Sequence, residues 1–405
     1  MAITDKEQGV WNVDQVYNKI NQGGIWSYTG SEKDLFGWGD NGGGQLGQNN
    51  RTTTSSPIQI TGSGFNLKSG QAYYDNSNMA ISKTDGSLWV WGSNSNGSLG
   101  LNEASPGGSR SSPTQVGTDT TWAFAFTTYQ NTYATKTDGT LWAWGGNGDG
   151  QMGLNVSGDP GARSSPTQIG TGTDWSTADN CISGARGGVA ALKSDNTMYS
   201  WGGNNSGMLG HSDQTKYSSP KQLPGTTWRS LGSGYNALWA TKTDGSLWGW
   251  GGGGGALGQN QNTASYSSPK QVGTGTNWST VVSGSYISHT IATKTDGTLW
   301  TWGTNYGRGT LGLNVGGPST AGDVSSPTQV GTDTDWANAV AAGRFSCVAI
   351  KTDGSMYSWG AGYYGMGGRN STQMVSSPTQ LPGTWSQVSP TAGANSGFYA
   401  DKTYS

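Results

Sequence analysis

The dipeptide Trp-Gly occurs seven times along the chain, at Trp38, Trp91, Trp144, Trp201, Trp250, Trp302 and Trp359, with successive gaps of 53, 53, 57, 49, 52 and 57 residues. A period of this length constrains the fold more than any other feature, because each unit must bury its apolar face against its neighbours. Three further markers keep the same period. Ser-Ser-Pro-x-Gln follows each copy, with prolines at Pro57, Pro113, Pro166, Pro220, Pro269, Pro327 and Pro378. Lys-Thr-Asp-Gly or a close variant precedes six copies, starting at Lys83, Lys136, Lys193, Lys242, Lys294 and Lys351. A second tryptophan follows six of the prolines, at Trp122, Trp175, Trp228, Trp278, Trp336 and Trp385.

One unit, KTDGTLWAWGGNGDGQMG at 136–153, joins the largest side chain to the absence of one. Tryptophan buries a large area against a rigid neighbour, and glycine permits tight turns and close approach of backbone. In Ser-Leu-Trp-x-Trp-Gly, Trp89 and Trp91 alternate with Leu88 and Val90, so the strand carries bulky residues on both faces and both faces are covered. Asp-Gly between apolar runs predicts a hairpin with a type I′ turn, positive φ at both central residues. The Ser-Ser-Pro-x-Gln segment and the segment opened by the second tryptophan supply two more strands. Four short antiparallel strands per unit, covered on both sides and repeated, describe a β-propeller blade.

The ends complete one another. Residues 35–39 (Leu-Phe-Gly-Trp-Gly) lack a preceding hairpin partner, and the chain finishes on GFYADKTYS, which matches the strand before Lys-Thr and then stops. Pairing 35–39 with about 397–403 closes a seventh blade and leaves no open edge. The expected fold class is all-β, a seven-bladed propeller of four-stranded antiparallel blades over 35–405 with a short N-terminal extension over 1–34.

The units L-W-x-W-G-x-N-x-x-G-x-L-G, S-S-P-x-Q-V and K-T-D-G resemble the regulator of chromosome condensation repeat, over residues 35–405. The resemblance implies a seven-bladed ring; function does not follow from it, since one fold carries many sites. The family includes an exchange factor for a small nuclear GTPase and secreted protein inhibitors of β-lactamase. The exchange factor's basic tail and protruding wedge have no counterpart here, and the signal peptide expected of a secreted inhibitor is missing. The histidine that the family repeat often carries five residues before the lysine survives only at His289.

With 22 basic against 24 acidic residues the net charge is −2, which gives no electrostatic footprint for nucleic acid. No stretch of about 18 apolar residues occurs, so no membrane insertion is expected. Cys181 and Cys347 sit at different offsets within their units, so no disulfide or metal spacing is read from them. The glycine runs, GGGGG at 251–255 among them, are not followed by Gly-Lys-(Ser/Thr), which argues against a phosphate loop. His211 and His289 lie at unrelated positions, and most carboxylates are turn aspartates. The chain is expected to be non-enzymatic, with no catalytic residue, cofactor or metal.

Function is then sought where the units differ. The loops before Ser-Ser-Pro vary most and bring Arg110 and Arg163; the turns after Trp-Gly bring Tyr306, Arg308, Tyr363 and Tyr364. Exposed tyrosine and arginine favour protein or glycan contact. In the extension, Val13, Val16, Tyr17 and Ile20 follow helical spacing, Asn12 and Gln15 cap it, and Gly23-Gly24 stops it. So short a helix wants a surface, and Trp11, Val16, Tyr17 and Trp26 are its expected docking side chains. The segment GVWNVDQVYNKINQGGIW is similar to short segments at the ends of bacteriophage tail-fibre and other virion proteins. The resulting expectation is a bacteriophage virion protein, tail- or surface-associated, assembled in the host cytoplasm without a secretion signal. Other virion proteins are its expected partners through the extension, and a host surface protein or glycan through the ring; an exchange-factor-like or inhibitor propeller is the alternative.

Overall fold

Each fifty-residue unit folds as an antiparallel sheet in chain order. In blade 6 the strands are Trp336–Ala342, Ser346–Lys351, Met356–Gly360 and Val375–Leu381. First strands of neighbouring blades pack on one another around the axis, and the Ser-Ser-Pro strands lie outermost, partly exposed. The computed structural model describes residues 33–403 apart from 69–76, 104–106, 129, 159–160, 185–186, 263, 285–288, 317–321 and 391–396. These residues form seven sheets, six of them four-stranded. In blade 1 three strands pair, Asn78–Ser82, Leu88–Gly92 and Arg110–Gln115, and a bridge from Phe65 to Lys83 marks the inner position. Phe65 stands where six blades have tryptophan: its ring lies 5.8 Å from that of Trp91 and 4.6 Å from the Lys83 ammonium.

Closure is as the ends predict. Asp34–Gly39 inserts between Phe398–Lys402 and Thr54–Gln59, in register from Asp34 opposite Lys402 to Trp38 opposite Phe398. Trp385–Pro390 completes blade 7 on its inner side. Of the extension expected over 1–34, Asp34 belongs to the closing strand, while the expected helix and the docking residues Trp11, Val16, Tyr17 and Trp26 lie within 1–32, outside the described residues.

The coupling of tryptophan to glycine is an inter-blade contact. Every Trp-Gly indole is fully buried. Each donates its N–H to a backbone carbonyl of the preceding blade: Trp91 to Gln45 at 2.6 Å, Trp302 to Ala256 at 2.6 Å, Trp38 to Met366 at 3.3 Å, and the other four to Ser98, Gln151, Met208 and Thr310. Two residues beyond that carbonyl, a glycine with positive φ lies flat on the same indole. At Gly312, φ +70, a Cβ would stand 2.9 Å from Trp359 Nε1. On the outer rim, the residue two after that glycine, an asparagine in six units and Ser212 in the other, stands at positive φ and donates its backbone N–H to the Ser-Ser-Pro strand of the next blade. Asn102 does so to Ser164 at 2.7 Å, and its amide oxygen accepts from Ser165 at 3.1 Å.

The hairpin turns differ from the type I′ expectation. In Lys83-Thr84-Asp85-Gly86 only the glycine has positive φ, +80; its N–H donates to Lys83 O, and Lys83 N–H to Ser87 O. The loop therefore has three residues, a type I turn followed by a left-handed glycine. Asp85 is held away from positive φ by what its side chain does: Oδ1 accepts from Ser87 N at 2.9 Å and Ser87 Oγ at 2.6 Å. Ser87 Oγ in turn accepts the Trp89 indole N–H at 2.8 Å. The same relay runs through Asp138, Asp244 and Asp296.

The topology gives the ring two unlike faces. Hairpin turns between second and third strands, and links to the next blade, lie on one face, the turn face. Links between first and second and between third and fourth strands lie on the other, the loop face. The described chain enters at Lys33 on the turn face, because Asp34–Gly39 runs from that face to the other.

Candidate functional site

The turn face is framework. Its lysines sit between paired aromatic rings, Lys136 with its ammonium 4.8 Å from Trp122 and 4.2 Å from Trp142, and Lys136 also meets Asp119 at 2.5 Å. That contact, with a hydrogen bond from Thr121, lowers the Asp119 carboxyl to about 2. Equivalent stacks recur at Lys242, Lys294 and Lys351. Lys351 also meets Asp333 and Asp335, at 2.8 and 3.0 Å, so two of these four stacks carry a carboxylate as well.

Among the described residues the loop face carries a cluster of arginine and aromatic side chains at the crease between blades 5 and 6. Arg308, from the blade 5 turn after Trp302-Gly303, lays its guanidinium 4.1 Å from the ring centre of Phe345 and 5.1 Å from that of Tyr363, both in blade 6. Arg344 approaches the Phe345 ring at 4.7 Å. Phe345 and Tyr363 meet edge-on at 5.6 Å, and Tyr363 meets Tyr364 at 5.8 Å. Phe345 is buried and packs on Ala361 and Met366. The Tyr363 hydroxyl is shielded from solvent without a hydrogen-bond partner among the described residues.

Two tyrosines stand proud of this stack. Tyr306 and Tyr364 are 45% and 49% exposed, with φ of +50° and +55°. Blades 1 and 3 place Asn96 and Ser206 at the position of Tyr364, also left-handed. A bulky residue there costs on the order of 1 kcal/mol that a small polar one largely avoids. The strained positions thus carry aromatic rings in two adjacent blades, and both rings face water.

Of the loop arginines singled out from sequence, Arg110 braces its own loop, bonding Glu103 at 2.6 Å and Gly108 O at 2.7 Å. Arg163 opens the outermost strand of blade 2, is exposed, and donates to Ala162 O at 2.8 Å. Neither joins the crease, which brings together Arg308, Tyr363 and Tyr364, with Tyr306 in the same turn as Arg308. Sequence reasoning missed Arg344 and Phe345. Their signal was the pair of bulky residues in AGRFSC, where the corresponding loop in blade 3 reads SGARGG.

One pair imitates catalytic machinery. Ser200 Oγ lies 3.0 Å from His211 Nε2. The serine's proton goes to Leu209 O at 2.7 Å, so its oxygen faces the histidine as an acceptor. Blade 6 repeats the arrangement with Ser358, Gly367 O and Arg369, whose guanidinium donates at 2.9 Å and can abstract no proton. Burial, followed by the nearby Lys221, pushes the His211 pKa down. Position 211 is therefore a donor to a buried strand hydroxyl. His289 is fully buried at the start of its strand. Cys181 and Cys347 are buried free thiols, their pKa values pushed up by desolvation. Among the described residues no helix is long and apolar enough to cross a membrane, and no three His, Cys, Asp or Glu side chains gather as a metal site.

Family models for the regulator of chromosome condensation (RCC1) repeat match residues 33–71, 85–123 and 338–365. The chain is 37% identical over 75 residues to the RCC1 domain-containing protein RUG3, mitochondrial, of Arabidopsis thaliana, an alignment spanning 18% of this chain and 17% of that relative's length. Among solved structures, yeast RCC1 (Prp20) bound to Kap60 superposes with a TM-score of 0.75 at 18% identity, covering 94% of this chain and 92% of that one. Prp20p of Saccharomyces cerevisiae, described with its binding to Gsp1p and histones, gives 0.75 at 19% over 93% and 92%. Human WBSCR16 gives 0.75 at 16% over 92% and 99%. At these identities the superpositions speak for the fold. The repeat markers, the matched segments and the closed ring agree: the chain is a seven-bladed propeller in which residues 33–71, 85–123 and 338–365 are regulator of chromosome condensation repeats.

Proposed function

We propose that the ring is a non-enzymatic protein-binding propeller that receives its partner on the loop face, over blades 5 and 6. One observation carries this reading: two exposed tyrosines held at positive φ beside the Arg308, Phe345 and Tyr363 stack. Tyrosine and arginine around a packed aromatic centre are the composition of binding hot spots. The fold neighbour Prp20 binds proteins, which supports a protein as the partner class. A photo-crosslinking amino acid at position 364 should capture a partner from the native source, and one at position 138 on the turn face should not. Equal capture at both positions, or none at 364, refutes the reading.

The seat of action follows from the extension. Residues 1–32, with Trp11, Val16, Tyr17 and Trp26, carry the chain into a bacteriophage particle, and their sequence alone supports this. Trp11→Ala with Tyr17→Ala should leave the ring folded and abolish incorporation into particles; normal incorporation removes the virion reading. Guanine-nucleotide exchange is the alternative that the yeast neighbours favour. Accelerated nucleotide release from a small GTPase at sub-micromolar protein would establish it.

A further inference from the structure

We infer that the crease between blades 5 and 6 binds an acidic peptide segment of its protein partner, a carboxylate pairing with Arg308 and the flanking side chains resting on Tyr306 and Tyr364. The inference rests on the protein-binding reading and deepens it by naming what is recognised.

Charge leads to the carboxylate. Arg308 contacts aromatic rings and makes no salt bridge among the described residues; Lys242 and Lys294 on the turn face do the same, but Arg308 is on the loop face with a second guanidinium, Arg344, at the same ring. The nearby Asp323 is turned to the backbone, its Oδ1 accepting Asn305 N–H at 2.7 Å. A guanidinium held against aromatic rings keeps N–H donors that no carboxylate among the described residues takes, and a planar guanidinium pairs with a carboxylate through two hydrogen bonds. Arg344 over the same Phe345 ring adds a second positive charge. A chain of net charge −2 has no general basic surface, so the attraction is local and fits a few carboxylates better than a polyanion.

Shape leads to a peptide. The two exposed tyrosines come from successive blades, Tyr306 two residues before Arg308 in its turn and Tyr364 against the Tyr363 ring that Arg308 meets, so apolar surface is offered next to the cations. A segment that alternates acidic and apolar side chains meets both.

The test uses the full chain and two short fluorescein-labelled peptides, one of alternating glutamate and tyrosine, the other with glutamine for glutamate. Fluorescence anisotropy should show the glutamate peptide binding about tenfold more tightly, with the preference shrinking as salt rises. Arg308→Gln should erase the preference. Arg308→Lys, which keeps the charge without the planar fork, should keep part of it and serves if the first variant does not fold. Tyr306→Asn with Tyr364→Asn, which installs the residue type blade 1 uses at this turn, should weaken both peptides several-fold at unchanged melting temperature. Equal affinity for the two peptides, a preference that survives Arg308→Gln, or tighter binding of a sulfated oligosaccharide overturns the inference. If the peptides bind equally while position 364 still crosslinks a partner, the acidic-peptide inference alone falls. If neither peptide binds and no crosslink forms, the protein-binding reading falls with it.

Discussion

Asp401 gives the ring a pH dependence of unusual sign. It lies on Phe398–Lys402 in the closing blade, paired with Leu35 and Gln387, and is 1% exposed. Blades 2, 4 and 5 place Thr135, Thr241 and Thr293 at this position, so a carboxyl stands where the repeat uses a hydroxyl. Desolvation raises its pKa from 3.8 to about 8, partly opposed by Lys33, and Oδ1 has no hydrogen-bond partner among the described residues. The folded chain therefore holds a proton that the unfolded chain releases above about pH 4. Stability is full below that value and falls as pH rises, by about 1.4 kcal/mol per pH unit, until the folded group titrates near pH 8.

From pH 5 to 7 this amounts to about 2.7 kcal/mol, and roughly 6 kcal/mol across the whole interval. With a melting entropy of about 2.1 cal/mol/K per residue over roughly 370 residues, 2.7 kcal/mol is a melting-temperature change of about 3–4 °C. Thermal unfolding at pH 5, 6, 7 and 8 should show the parent losing stability relative to Asp401→Thr and Asp401→Asn by that amount. The turn aspartates Asp85, Asp138, Asp244 and Asp296 have lowered pKa values, set first by hydrogen bonds from Ser or Thr hydroxyls. Their contribution has the opposite sign and is lost only below about pH 4, outside the window. Parallel slopes for parent and variants would refute the assignment of a buried, protonated Asp401.

Three further outcomes are expected. Gly312→Ala meets Trp359 and a φ of +70, and should cost about 2–4 kcal/mol by thermal unfolding, whereas Gly331→Ala, with the same sign of φ and open space around it, should cost about 1 kcal/mol. Deleting residues 34–39 removes the strand between Phe398–Lys402 and Thr54–Gln59, and calorimetry should show cooperative melting lost. His211→Arg copies the Ser358 and Arg369 arrangement and should leave melting unchanged, and a serine-directed fluorophosphonate probe should leave Ser200 unlabelled.

The repeat made most of the fold legible. Trp-Gly marked the third strand, Ser-Ser-Pro the fourth, and the unmatched ends the closing blade, because each feature answers to a local requirement repeated seven times. The hairpin type was misread where side-chain chemistry outvoted dipeptide statistics: the hydrogen bonds from Ser87 to Asp85 select a three-residue loop. Asn102 and its counterparts were overlooked because their partners, such as Ser164, sit a full unit downstream. The site was half legible. Tyr306, Arg308, Tyr363 and Tyr364 stood out as departures, but nothing in sequence says that Arg308 crosses to Phe345, since that depends on which loops the ring sets side by side.

A sevenfold scaffold separates two kinds of constraint that most proteins mix. Positions that answer to folding are filled alike in every blade, because each indole meets the same carbonyl and the same glycine. A residue that violates its column has no folding reason to be there, and the sister blades measure what it costs. Arg369 in place of His211 keeps the contact with the strand serine, so that change is neutral variation. Asp401 in place of threonine is destabilising above pH 4 and touches the closure alone. Tyr306 and Tyr364 hold their rings in water at strained backbone positions, where partial burial offsets little of the strain. Strain retained without compensation inside the molecule points to compensation outside it, and the crease is the place on the loop face where that strain and a guanidinium without a salt-bridge partner among the described residues coincide.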